Sequence, residues 1–331
     1  MKTEPLKLVF MGSDSIAIPL LDWLIEEGSG RAGITCIYTQ PDRAVGRGQR
    51  ITPNAIKRWA IQHGIPVRQP ERLTGVEREL LASDQPDVAL VMAYGHILRD
   101  TFIDTPRFGT LNLHASILPA YRGASPIQSA IAAGELETGV SLMRIVRELD
   151  AGPVADIERC SIEPADTAIE VEAKMASACV PLVARNLDAL RDGALTFIEQ
   201  SHAEATFCRK LTKSDGAIDF AAPARTLAAR INGLHPWPGC RVEYAGQVLR
   251  LGGALAQPSE AGAAAKPGTV LDVEGSRLLV ATGEGVLELT RLQRPGGRML
   301  PAAEFKRGFD MPTGTNFASQ PMSKLVTGAD H

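Results

Sequence analysis

The segment Asp87-Val88-Ala89-Leu90-Val91-Met92-Ala93 constrains the fold more than any other stretch of this chain. A strand with one face in water alternates apolar and polar residues. This one is apolar at successive positions, as a strand covered on both faces must be. Such strands belong to parallel sheets, whose crossover helices lie over both faces. Neighbouring segments supply the rest of the sheet. Residues 6–11 read as a first strand that turns at Gly12 into a helix carrying Ile16, Leu20, Leu21 and Leu24, and residues 33–39 read as a second. Thr52 before Pro53 gives an N-cap with proline at the first helical position, opening a helix that stops near Gly64. Val67 marks a short strand, and residues 110–114, 139–146 and 154–160 mark three more. Ser125-Pro126 caps a helix ending at Gly134, and Thr167 caps a long helix with apolar side chains from Ile169 to Leu190. This alternation predicts an α/β, doubly wound, mainly parallel Rossmann-like sheet. Gly12 lacks the remaining glycines of a dinucleotide fingerprint, which argues against a nicotinamide cofactor.

Near residue 205 the pattern changes. A helix over residues 224–231 runs into His235-Pro236-Trp237-Pro238-Gly239, which cannot stay helical. Short strand-like runs follow at 240–244, 248–251, 269–273, 277–281 and 286–292. Five strands joined by glycine turns suit an OB-like β-barrel. The expected organisation is a domain over 1–204, a linker over 205–214, the barrel over 215–315 and a loosely held tail over 316–331. Trp237, between prolines, is expected to be a packing anchor.

Charge divides along the same line. Residues 1–204 carry 20 Lys+Arg against 27 Asp+Glu, a net of −7; residues 205–331 carry 15 against 11, a net of +4. A basic half on an acidic one points to a polyanionic partner for the smaller part. With 44% hydrophobic and 22% charged residues the composition is that of an ordinary globular protein. No apolar run approaches the roughly 18 residues of a membrane span, and the first seven residues lack a signal layout, so the expected location is cytoplasmic. Cys36, Cys160, Cys179, Cys208 and Cys240 stand singly, which predicts neither a metal site nor a disulfide framework.

Chemistry concentrates at two predicted strand ends. Asn112 and His114 close one strand, and Asp150 lies in Leu149-Asp150-Ala151-Gly152. An amide can hold a developing oxyanion, an imidazole can move protons, and a carboxylate can orient the imidazole. No primed nucleophile accompanies them. The trio suits transfer of a carbonyl group to an external acceptor by positioning.

The wider pattern Asn112-x-His114-x-Ser116-Ile117-Leu118-Pro119-x-x-Arg122-Gly123-x-x-Pro126, with Thr138-Gly139-Val140 and Leu149-Asp150-x-Gly152, resembles the folate-dependent formyltransferase family. From Leu6 to about Phe309 the chain is similar to the branch that acts on aminoacylated tRNA. The loop from Thr39 to Arg50 looks like that branch's basic insertion against the acceptor stem. The segment Arg209 to Asp219, with Pro236-Trp237-Pro238-Gly239, looks like its linker and the start of its barrel. The resemblance implies 10-formyltetrahydrofolate as formyl donor and initiator Met-tRNA as acceptor, with no metal, no DNA, no membrane and a monomer. It implies catalytic roles for Asn112, His114 and Asp150, folate contacts at Ser116, Ile117, Leu118 and Pro119, and tRNA contacts at Arg43, Arg47 and Arg50. Gly46 and Gly48 lend the basic loop mobility that ordering on RNA would use. A sugar-nucleotide formyltransferase would share the trio but not the basic loop; a formyltetrahydrofolate hydrolase would share the trio but use water as acceptor and carry a different partner domain. A catalytically silent RNA-binding protein would not need the trio. Three departures from the family pattern stand out: Ser13-Asp14 after Gly12 in place of Thr-Pro, Ala44 in place of proline, and Glu148 in place of a glycine beside Leu149-Asp150. A positive φ at Glu148 would strain that loop.

Overall fold

The computed structural model describes residues 4–45, 48–257, 265–271 and 277–328. In chain order it begins β1 (Leu6–Gly12), α1 (Ile18–Ile25), β2 (Ala32–Tyr38), β3 (Arg43–Val45), β4 (Arg50–Thr52), α2 (Ala55–Gln62), β5 (Val67–Arg68), α3 (Gly75–Ser83), β6 (Val88–Met92), α4 (Asp100–Ile103) and β7 (Thr110–His114). There follow β8 (Arg122–Gly123), α5 (Pro126–Ala133), β9 (Glu137–Arg144), β10 (Val154–Ser161), α6 (Ala168–Arg191) and β11 (Thr206–Cys208). The last stretch holds α7 (Ala224–Gly233), β12 (Cys240–Tyr244), β13 (Gln247–Gln257), β14 (Leu279–Ala281), β15 (Val286–Gln293), β16 (Met299–Pro301), α8 (Ala302–Arg307) and β17 (Val326–Gly328). By compactness the chain forms two units. One is Met1–Arg122, Gly139–Cys160 and Ala173–Ala205; the other is Gly123–Thr138, Ser161–Glu172 and Thr206–His331.

The first unit is built on a seven-stranded sheet of order β10-β9-β7-β6-β1-β2-β5. Strands β5, β2, β1, β6 and β7 pair in parallel, and β9 joins β7 antiparallel. All five residues of β6 are buried, as its apolar run requires. The two faces separate by the period of two. Val9, Met11, Cys36, Tyr38, Ala89 and Val91 enter one core cluster. On the opposite face Leu8, Leu90, Leu111 and Leu142 meet Val183, Leu187 and Leu190 of α6. Because β1 has β2 on one side and β6 on the other, the connections diverge there, and the carboxyl ends of β1, β6 and β7 form the expected place for a ligand.

Some caps differ from expectation. Thr52 ends β4, and Asn54 caps α2 by accepting from the Lys57 amide at 2.9 Å. Both residues are good caps, and the pairing of Arg43 with Thr52 removes Thr52 from the competition. Ser125 makes no capping bond to α5; its hydroxyl donates to the Arg209 carbonyl at 2.6 Å within the second unit. Gly134 does end α5, in the left-handed conformation. Thr167 caps α6 as expected: its backbone N–H donates to Glu170 at 2.8 Å, and its hydroxyl accepts from the Ile169 amide at 3.3 Å. After Gly12, Asp14 caps a single 3₁₀ turn through the Ile16 amide, so the unusual Ser13-Asp14 pair builds an ordinary first turn.

The second unit holds an antiparallel sheet, β12-β13-β15-β14 with β16 on β15, the strand set of an OB-like barrel. Of the expected strand over 269–273, Thr269 and Val270 make isolated bridges to Asn316 and Val280, and 272–276 lie outside the described residues. Helix α5 belongs here because α7 presents Gly233 to it, where a Cβ would sit 2.6 Å from the Ala132 nitrogen. Trp237 is 51% exposed and is no packing anchor; of the prolines flanking it, Pro236 is exposed and Pro238 is buried. Burial pushes the Cys36 thiol up to about 11 and those of Cys179 and Cys240 up to about 12, so these are inert core groups.

The tail is held, contrary to expectation. Phe317 is 1% exposed and stacks on Phe220 at 5.9 Å, and β17 pairs with β11. Composition misleads here because two buried apolar residues, Phe317 and Leu325, suffice to dock an otherwise polar segment. Asp215 anchors it: the carboxylate accepts from Arg209 at 2.6 and 2.8 Å, from the Thr212 amide at 2.7 Å and from the Ser323 hydroxyl at 2.6 Å. The Arg209 guanidinium, and then the Ser323 hydroxyl, hold the Asp215 carboxyl well below the usual carboxylate range. A depressed folded value stabilises above the unfolded value of about 3.9 and loses that contribution as pH falls below it. Asp215→Asn should therefore lower stability by roughly 1–3 kcal/mol at pH 7. In thermal melts its difference from the parent protein should narrow progressively below about pH 4.

Candidate active site

Strand β7 places two of the three expected catalytic side chains together. Asn112 and His114 are two residues apart on one strand and so share a face. Asn112 pairs with Val91 of β6 and Met143 of β9, and its side chain is half-buried between them. His114 is buried at the strand's end, and Asp150 comes to it from the loop after β9. His114 Nδ1 lies 3.8 Å from Asp150 Oδ1, with the two side chains 7% and 14% exposed. That separation is an ion-pair distance, longer than a direct hydrogen bond. The other ring nitrogen, Nε2, is 3.0 Å from the Tyr121 carbonyl. A carbonyl only accepts, so Nε2 carries hydrogen and donates. The neutral ring then has its lone pair on Nδ1, facing Asp150. The backbone of Tyr121, not Asp150, fixes the tautomer in this geometry.

The loop carrying Asp150 is defined by its backbone. Positive φ falls at Asp150, at +51°, and not at Glu148. The glutamate in the glycine-like position is thus unstrained, and its carboxylate reaches out to Arg122 Nη1 and His202 Nδ1, each at 3.9 Å. Gly152 is needed for a close approach: a Cβ there would stand 1.9 Å from the Arg144 carbonyl oxygen. Gln200 closes the loop by donating from Nε2 to the carbonyls of Asp150 and Gly152, at 2.9 and 2.6 Å.

The segment after β7 is less open than expected. Ser116 is fully buried, and its hydroxyl donates to the Ala120 carbonyl at 2.6 Å. Ser141 donates to the Ser116 carbonyl at 2.7 Å and accepts from the Leu118 amide at 3.1 Å. The Leu118 side chain is buried, while Ile117 and Pro119 are half-buried. Ser116 and Leu118 therefore fold this turn with their side chains, and Ile117 and Pro119 face outward. Beyond β6 the Tyr94 hydroxyl and His96 Nε2 are buried with no hydrogen-bond partner among the described residues. Burial pushes the Tyr94 phenol well above its ordinary value. Buried polar atoms of this kind call for a partner, here at the carboxyl end of the strand beside β7.

The basic loop is a hairpin. Arg43 on β3 and Arg50 on β4 are exposed; Arg47 lies outside the described residues. Its base is fixed: Asp42 accepts from Lys57 at 2.7 Å and from Gln69 at 2.8 Å, and Asn54 donates to the Gln40 carbonyl at 3.1 Å. Residues Arg43 to Val45 pair with Arg50 to Thr52, while Gly46, like Arg47, lies outside the described residues. Among the described residues no cluster of His, Cys, Asp or Glu could hold a metal, and no helix is long and apolar enough to cross a membrane.

An amide, an imidazole and a carboxylate stand at the carboxyl edge of an α/β sheet, an arrangement suited to group transfer by placement. The chain belongs to the formyl transferase family. The family model "Formyl transferase" matches residues 6–185, and "Formyl transferase, C-terminal domain" matches residues 210–310. A protein of Parvibaculum lavamentivorans named methionyl-tRNA formyltransferase is 40% identical over 316 residues, covering 95% of this chain and all of that protein. Among solved structures, an N-formyltransferase from Helicobacter canadensis, in complex with folinic acid and dTDP-3-aminofucose, superposes with a TM-score of 0.63. It is 16% identical and covers 87% of this chain and 99% of its own. HypX from Aquifex aeolicus superposes with a TM-score of 0.61 at 17% identity, over 91% of this chain; the match spans about half of HypX, 48%.

The close approach at Gly152 gives a direct test of the loop. Gly152→Ala should displace the backbone around Asp150 and cut formyl transfer at least about tenfold, since small misplacements at a reacting centre carry costs of up to about 10²-fold. Steady-state kinetics with unchanged thermal stability would isolate this effect.

Proposed function

We propose that this chain transfers the formyl group of 10-formyltetrahydrofolate to the α-amino nitrogen of methionine on initiator tRNA, yielding N-formylmethionyl-tRNA for translation initiation. The observation that carries this reading is the 40% identity, spanning 95% of this chain, to a relative named methionyl-tRNA formyltransferase. The presence of Asn112, His114 and Asp150 supports an active enzyme over a silent RNA-binding scaffold. The exposed arginines of the β3–β4 hairpin favour tRNA over a sugar nucleotide or water as acceptor.

The residues present fit a folate. A pterin ring offers donors and acceptors along its edge, which suit the unpartnered Tyr94 hydroxyl and His96 Nε2. Ile117 and Pro119 would contribute an apolar wall, while Ser116 and Leu118 would act through the backbone they shape. When bound, the folate supplies the activated formyl carbon. The chain's own groups do the rest. An α-amino group titrates near 7.7–8.0, so a fair fraction is already nucleophilic at neutral pH. The Asn112 amide donates to the charge that develops on the formyl oxygen. With Nε2–H committed to Tyr121, His114 holds the proton released by the amine on Nδ1, and the Asp150 carboxylate at 3.8 Å stabilises the resulting imidazolium. From there the proton goes to the departing nitrogen.

Residues 1–204 would carry the formyl chemistry, and the OB-like part over 215–315 would add a basic surface for the RNA, with Arg43, Arg47 and Arg50 on the acceptor stem. The same reading places the enzyme in the cytoplasm as a monomer, with neither DNA nor membrane as partner.

Formyl-labelled folate offered with charged initiator tRNA, an amino-sugar nucleotide or water alone should deliver label to the tRNA. Label on the sugar nucleotide, or release as formate, would overturn the assignment. Asn112→Ala should lower turnover by about 10²- to 10³-fold with folate affinity nearly unchanged, the size expected for one lost oxyanion donor. Near-parental turnover would remove Asn112 from the mechanism. Binding to tRNA should weaken linearly with the logarithm of salt concentration. Arg43→Ala and Arg50→Ala should each reduce that slope by about 1, read from affinities over a salt series.

A further inference from the structure

A half-buried side chain outside the expected trio ties together both sides of the His114 ring. Gln200 Oε1 accepts from Arg122 Nε and Nη2 at 3.0 and 2.8 Å, and Arg122 is completely buried. Its Nε2 donates to the carbonyls of Asp150 and Gly152 at 2.9 and 2.6 Å. Arg122 follows Tyr121, whose carbonyl receives the His114 Nε2 hydrogen, and Asp150 faces Nδ1. The circuit is therefore closed: His114 to Asp150, Asp150 backbone to Gln200, Gln200 to Arg122, and Arg122 through one peptide bond to Tyr121 and back to His114.

Both residues that meet the ring have left-handed backbones, Tyr121 at φ +60° and Asp150 at +51°. Non-glycine residues hold that conformation when surrounding contacts over-determine it. Gln200 is placed to do so for both. One amide group spends its acceptor on the Tyr121–Arg122 side and both of its donors on the Asp150–Gly152 side, which only an uncharged side chain with both functions can do.

We infer that Gln200 is a positioning residue for formyl transfer, holding Asp150 and the Tyr121 carbonyl in register about His114 without touching the reactants. The inference rests on the proposed roles of His114 and Asp150. Gln200→Glu is nearly isosteric and keeps an oxygen for Arg122, but it turns two donors into an acceptor facing two carbonyls. It acts on the Asp150 loop while leaving the Arg122 side paired.

The test is a double-mutant cycle on the full-length protein, with turnover, both KM values and thermal stability measured for the parent, Gln200→Glu, Asp150→Ala and the double variant. Single-turnover measurements at enzyme excess extend the range for the slow variants. Gln200→Glu should lower kcat by about 10- to 100-fold with both KM values within about twofold, because loss of transition-state placement leaves ground-state binding intact. In the Asp150→Ala background the same change should cost less than about twofold. Equal losses in the two backgrounds would show a general structural effect and overturn the inference, as would an effect confined to KM. Full turnover in Gln200→Glu beside a crippled Asp150→Ala would overturn it while leaving the reaction's assignment standing. Full turnover in Asp150→Ala would instead remove the reading on which the inference rests. If Gln200→Glu does not fold, Gln200→Asn, with donor and acceptor on a shorter stem, enters the same cycle under the same criteria.

Discussion

The site depends on one imidazole gripped from both sides. His114 gives its Nε2 hydrogen to a carbonyl seven residues along the chain, and it faces a carboxylate 36 residues along with Nδ1. Neither contact would survive movement of β7, which is hydrogen-bonded to β6 on one flank and to β9 on the other. The mainly parallel sheet is thus a rigid frame of the kind a placement mechanism requires, and the trio lies where its strands end and loops are free to vary. Ser141 makes the coupling concrete. It lies opposite His114 on β9, and its hydroxyl fixes the turn from Ser116 to Leu118, so one strand pair sets both the ring and the segment beyond it.

Much of this frame was legible in the residues. The apolar run at β6 and the amphipathic pattern of α6 report burial, which is decided by side chains in the run itself, and those elements lie where the patterns place them. That Asn112 and His114 share a face of β7 follows from the period of two, and the approach of Asp150 to His114 was expected from spacing that resembles a family. The failures share a cause. Thr52 against Asn54, Ser125 without a capping bond, and the docked tail all turn on a partner distant in sequence. A cap or a loop can be proposed from local preference, but strand pairing and tertiary packing override it. Gln200 carried no signal at all, since a glutamine in a polar stretch announces nothing until its four hydrogen bonds are seen.

The described ends of the basic loop are tied down by the residues around them. Ala44, in place of a proline, leaves that position free to pair with Ile51, and rigidity comes from the base, where Asp42, Asn54 and Gln69 bind the chain on both sides of Gln40. Arg43 and Arg50, exposed on the paired strands, thereby present their charge at a defined place.

The residue at position 150 separates backbone need from chemical need. A left-handed backbone costs a non-glycine residue on the order of 1–2 kcal/mol, and glycine would remove that cost. Asparagine tolerates the conformation about as well as aspartate. Backbone geometry therefore does not select aspartate here; what aspartate adds is a carboxylate oxygen 3.8 Å from Nδ1. Gly152, two residues on, is the reverse case, where the Arg144 carbonyl leaves no space for any side chain. Within three residues the chain keeps a charge where the backbone would prefer glycine, and glycine where packing permits nothing else. The Gln200 amide binds both carbonyls and makes the pair a single fixed unit.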